Sequence, residues 1–97
     1  MDGLKFEWDR TKAASNAKKH GVTFDEARSA FADEAGRLIA DPDHSDEEER
    51  FILLGMSARL RLLVVAHCYR QGDTIRIISA RKASRHEQKQ YERFRHA

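Results

Sequence analysis

Apolar residues recur at helical spacing in the first third of the chain and gather into strand-like runs after it. Lys5 to Trp8 reads as a short strand. Asp9 then stands where a helix needs an acceptor for the backbone donors of its first turn. The alanine-rich AASNAKKH carries this first helix to Gly21, the residue best able to adopt the left-handed conformation that ends one. Thr23-Phe24-Asp25-Glu26 matches a capping box, in which threonine and glutamate side chains each satisfy the other's backbone donor, so a second helix starts there. Phe24, Ala27, Ala30 and Phe31 share one face of it, which predicts docking on a sheet, with an end near Asp33 to Gly36.

Strands are expected at Arg37 to Ala40, Arg50 to Met56, Arg61 to Arg70 and Thr74 to Arg81. The last three are joined by Ser57 to Leu60 and by Gln71-Gly72-Asp73, both short enough for hairpins, so they should be antiparallel neighbours. LRLLVVAHCY is apolar nearly throughout, as suits a central strand covered on both faces, with Arg61 and Arg70 at its wet ends. Leu60 occupies a turn position where glycine would be expected, which predicts a looser hairpin. Ser84-Arg85-His86-Glu87 is a second capping box, opening a final helix whose large apolar groups are Tyr91 and Phe94. The pattern is that of one α+β domain: a small antiparallel sheet of about four strands, two N-terminal helices and one C-terminal helix.

Composition fits that reading. The 97 residues suffice for one core and not for two, and 40% hydrophobic with 35% charged residues describes a globular chain. No apolar run approaches the ~20 residues of a membrane span, and no signal core follows the first residues, so a cytoplasmic protein without membrane contact is expected. Cys68 is the single cysteine and lies in the apolar strand, which excludes an internal disulfide and predicts a buried thiol. Net charge is +2, but its distribution matters more. Residues 1–58 hold 8 Lys/Arg against 13 Asp/Glu, whereas residues 59–97 hold 10 against 3. Clustered cations raise the prospect of a polyanionic partner, although a solvated charged surface accounts for them equally well.

FEWD at 6–9, KKHGVTFDEA at 18–27, DPDHSDEEERF at 41–51, GMS at 55–57, IRIISARKA at 75–83 and YE at 91–92 together resemble the BrnT toxin family over nearly the whole chain. The resemblance implies a toxin of a type II toxin-antitoxin pair, with a RelE-like fold. It implies cleavage of RNA that blocks translation, with no cofactor. It further implies inhibition by a BrnA-like ribbon-helix-helix antitoxin in a heterotetramer, with DNA contacted only through that antitoxin.

Metal-free RNA cleavage requires a 2'-hydroxyl to lose its proton, the phosphorane charge to be stabilised, and the departing 5'-oxygen to gain a proton. Arginine serves the second need, because its planar fork gives two hydrogen bonds to phosphate oxygens and stays charged. Arg81 is the first candidate, with Lys82 and Arg85 as neighbours able to bind RNA. Arg76 is five residues away on the same strand, which places it on the opposite face unless a bulge intervenes. By comparison with RelE-like toxins, Tyr91 would be the aromatic catalytic residue of the last helix; the simpler reading makes it a tether. His67 is either a proton carrier facing a groove or a satisfied core histidine. His20 beside Gly21 is explained by helix capping. Arg61, Arg70, Lys12 and Lys19 complete the expected RNA contacts, the two lysines sharing a face of the first helix. His44 among Asp41, Asp43 and Asp46 has the ligand spacing of neither a zinc site nor a calcium loop, so no metal site is expected; the acidic stretch 41–49 reads as a loop whose Glu48 or Glu49 pairs with Arg50 or a sheet cation. The alternative to an enzyme is a non-catalytic module that binds nucleic acid or only holds the antitoxin.

Overall fold

A computed structural model describes residues 4–41 and 49–95. The acidic stretch 42–48, with His44 and the expected pairing of Glu48, lies outside them. The elements are β1 (Lys5–Glu7), α1 (Arg10–His20), α2 (Phe24–Ser29) extended by a 3-10 turn (Ala30–Ala32), β2 (Arg37–Ala40), β3 (Phe51–Met56), β4 (Leu62–Arg70), β5 (Thr74–Lys82) and α3 (Arg85–Arg95). Caps act as their residue types require. Asp9 Oδ1 accepts from Lys12 N at 3.0 Å, Gly21 ends α1 at φ 69°, and Ser84 and Glu87 cap each other reciprocally.

The expected sheet of about four antiparallel strands is corrected to five strands of mixed direction, ordered β1-β5-β4-β3-β2. β2 to β5 are antiparallel neighbours, whereas β1 adds to β5 in parallel, Phe6 beside Ile75. A parallel partner some seventy residues away leaves no hairpin signal in the chain, which is why the pattern could not place it. Along β4, residues alternate between two cores. Leu63 and Val65 meet Phe24, Ala27 and Ala30 of the α2 segment and Ile75, Ile77 and Ala80 of β5. Val64 packs with Leu54, Ala83 and Tyr91 beneath α3 on the opposite side. Cys68 is fully buried, as the strand's composition predicts.

The β4-β5 ladder contains a bulge. Ala66 faces Ser79 but His67 faces Ile77, so Ile78 is one residue too many on β5. Beyond it β5 changes phase, and the rule that an odd spacing separates two side chains no longer applies to Arg76 and Arg81. They face Cys68 and Val64, which are four apart on unbulged β4 and share a face.

The hairpin between β3 and β4 is tighter than Leu60 suggests. Ser57 N donates to Arg61 O at 2.8 Å and Leu60 N to Ser57 O at 2.9 Å, with Leu60 in the left-handed region at φ 62°. The turn keeps the geometry that favours glycine and Leu60 adopts it.

Candidate functional site

The bulge places Arg76, Ser79 and Arg81 on the sheet face turned away from α2. Beside them runs α1. Three-residue β1 covers only Thr74 to Arg76 of β5's edge, and Asn16 on α1 serves the uncovered backbone. Its Nδ2 donates to Ala80 O at 2.8 Å and to Val22 O at 3.0 Å, while Ala80 N donates to its Oδ1 at 3.1 Å. A side-chain amide thus substitutes for a neighbouring strand and ties α1 to the residue before Arg81. Asparagine within a helix reads as a polar surface position, so this role is invisible in the chain.

The tie brings the C-terminal end of α1 to the strand. His20, Asp41, Ala66, Ser79 and Arg81 line a cavity of about 210 Å³, and Lys12, Lys19 and His20 line an adjoining hollow with Ile78 and Ser79. Of the residues expected to contact RNA, Lys12 and Lys19 therefore stand along the same seam as Arg81. Arg76 is further down the strand, its Nη1 paired with Glu7 Oε2 at 2.9 Å.

Arg81 is held in a fixed pose. Its two terminal nitrogens each donate to a Glu87 carboxylate oxygen at 2.9 Å, a bidentate geometry that fixes the guanidinium plane. The arginine, with Ser84, holds the Glu87 carboxyl down to about 2, so the pair stays ionised through the neutral range. Arg81 Nε is outside this pair, and the side chain is nearly half exposed.

The other candidates lie elsewhere. His67 faces α2, not Arg81: it is fully buried and ringed by Phe31, Phe51 and Tyr69. Its Nδ1 is 3.1 Å from Val65 O, which only accepts, so Nδ1 carries the proton and Nε2 accepts from the Tyr69 hydroxyl at 3.3 Å. Burial pushes its pKa down, keeping the imidazole neutral. Tyr91 is buried beneath α3 with its hydroxyl donating to Asp33 Oδ2 at 2.6 Å, and burial together with that carboxylate pushes the phenol up to about 12. Asp33 also accepts from Ala35 N and Met56 N; burial opposes its ionisation, but these three donors outweigh it and hold its pKa low.

Arg61 is not a wet strand end. It donates through Nε and Nη2 to the buried carboxylate of Glu26, and Nη2 also reaches Gly21 O at 3.0 Å. Glu26 thus fulfils only half of the expected capping box: Thr23 Oγ1 accepts from its backbone, but its carboxylate takes Arg61 and Ser57 instead of returning to the Thr23 amide. Arg70 is exposed beside Glu7 and Thr74, Lys82 lines a groove next to α3, and Arg85 is exposed at the start of that helix. Among the described residues, no three His, Cys, Asp or Glu side chains are grouped to hold a metal ion, and no helix is long and apolar enough to cross a membrane.

Residues 8–87 match the model of a family described as the ribonuclease toxin BrnT of type II toxin-antitoxin systems. The chain belongs to the BrnT family. It is also similar in structure to the Brucella abortus ribonuclease toxin BrnT, known from a 1.1 Å crystal structure, with a TM-score of 0.63 at 24% identity over 86% of this chain and 100% of that one. That likeness shows the fold. No curated protein matches the chain. Membership makes this BrnT-family protein a ribonuclease toxin whose partner is a protein antitoxin. Two residues of its α1-β5 seam, Asn16 and Ser79 at the bulge, carry no local sequence signal of that position. In the sequence helix capping accounts for His20, and only the packing of α1 on β5 brings it to the cavity that Arg81 lines.

Proposed function

We propose that this BrnT-family toxin cleaves RNA without a metal ion at the seam between α1 and β5. The observation that carries the reading is the bulge at Ile78, which puts Arg76, Ser79 and Arg81 on one face beside Lys12, Lys19 and His20. In this reading the lysines and Arg76 hold flanking phosphates, and Arg81 donates to the non-bridging oxygens of the scissile one as their charge grows. His20, an imidazole at the mouth of the same cavity, takes the proton of the 2'-hydroxyl. The 2'-oxygen bonds to phosphorus, the bond from phosphorus to the 5'-oxygen breaks, and that oxygen leaves with a proton from solvent, giving a 2',3'-cyclic phosphate and a 5'-hydroxyl. Cleavage of messenger RNA then blocks translation, and a ribbon-helix-helix antitoxin relieves it in a heterotetramer that contacts DNA only through the antitoxin. A RelE-like architecture agrees with the β3-β4-β5 meander closed by α3.

The test is purified protein with RNA in EDTA. Cleavage persists, and falls roughly 10²–10³-fold in Arg81→Ala and roughly 10²–10⁴-fold in His20→Ala with RNA binding retained. Tight binding with no cleavage would favour a non-catalytic nucleic-acid module, and cleavage abolished by EDTA would replace the metal-free chemistry.

A further inference from the structure

Leu60 combines two unfavourable features in one residue. Its backbone lies at φ 62°, where a Cβ crowds the following carbonyl, and its side chain is 83% exposed. The turn that imposes this is firmly built. Ser57 Oγ accepts from the amides of Arg59 and Arg61 and donates to Glu26, while Ala58 N donates to Ser29 Oγ at 2.8 Å. Nothing in the fold gains from a leucine here, since glycine would adopt the same turn without strain and leave no apolar group in water.

Leu60 stands at the rim of a groove of about 530 Å³ between the β3-β4 hairpin and α3. Met56, Leu62, Ala83 and Tyr91 supply its apolar lining, and exposed Lys82 and Glu92 stand among its polar lining. Arg59, beside Leu60 in the turn, is largely exposed, with its Nη1 3.9 Å from Glu26 Oε1. We propose that this groove, with Leu60 as its projecting anchor, docks the protein antitoxin through a segment that offers an apolar side chain flanked by Asp or Glu. The proposal rests on the toxin-antitoxin pairing of the family. An isobutyl group neither pairs with phosphate nor stacks on a base, which disfavours RNA as the occupant. Against a protein segment it buries apolar surface on both sides, and Lys82 and Arg59 meet the flanking acids.

Backbone strain at Leu60 separates the effect on stability from the effect on binding. Leu60→Gly relieves the backbone, so its thermal midpoint holds or rises by up to about 4 °C, while its affinity for the purified antitoxin encoded with this chain, measured by calorimetry, falls at least tenfold. Leu60→Asn, which tolerates the same φ but is polar, loses affinity likewise, and Lys82→Glu weakens binding further as salt is lowered. Wild-type affinity in both Leu60 variants overturns the groove as the docking site. Failure of the antitoxin to bind even the wild-type chain overturns the pairing itself, and the proposal with it.

Discussion

A single carboxylate, that of Glu87, closes the first turn of α3 by accepting from Ser84 N and also holds both terminal nitrogens of Arg81. The ion pair is partly exposed and contributes little to stability, so its value lies in orientation. Glu87→Gln keeps an acceptor for the cap but gives up the fork. It should lower kcat roughly tenfold to a hundredfold through misplacement of Arg81. RNA binding should hold or tighten, because a negative charge has left the site; single-turnover kinetics with a separate binding titration distinguishes the two. The Ser84-Glu87 cap was legible in the chain because its partners are three residues apart. Glu26 follows the same local rule, yet its carboxylate takes Arg61, 35 residues away, because a buried arginine-carboxylate pair outcompetes a single amide donor.

At the scale of elements, two side chains fasten helices that have little apolar surface of their own. Asn16 ties α1 to the open edge of β5, and Asn16→Ala should cost about 2–4 kcal/mol in a denaturant melt, since Ala80 N and O lose their partners together. Tyr91 fastens α3. Tyr91→Phe keeps the ring in its core but removes the donor to ionised Asp33, with an expected loss of roughly 1.5–3 kcal/mol by the same measurement. The tether reading of Tyr91 is thereby given a partner that sequence could not name. Strand positions and hairpins were readable from runs and turns, but the bulge at Ile78 was not: RIISAR has the same composition with or without one, and only the pairing with β4 reveals the phase change.

Across the whole molecule, buried ionisable groups make stability depend on pH in two steps. His67 stays neutral in the fold because burial lowers its pKa from 6.5, so below that value the unfolded chain takes up a proton the folded chain resists. Its contribution is fully present above pH 6.5 and is lost as pH falls through the lowered folded value. Glu26, held low by Arg61, acts further down: its stabilisation is present above pH 4.5 and is lost as pH falls through its lowered folded value. Denaturant melts between pH 8 and 5 should therefore fall for the wild type and stay flat for His67→Phe, even if that variant is less stable throughout. A wild-type melt with no slope in this range would show His67 free to ionise in the fold.

The chain by itself determined what depends on near neighbours: the helix caps at Asp9, Gly21 and Ser84, the antiparallel order of β3 to β5, the buried Cys68, and a family resemblance specific enough to imply a toxin. These follow from hydrogen-bond partners a few residues apart and from apolar periodicity, both of which are written linearly. The tertiary structure decided which side chains meet. It put Arg76 and Arg81 on one face through an extra residue in β5, brought His20 to Arg81 through Asn16, withdrew His67 and Arg61 into packed and paired positions, and set β1 parallel at the sheet edge. Each of these depends on contacts between segments far apart in the chain, where strand register and competition among partners, not local preference, select the outcome.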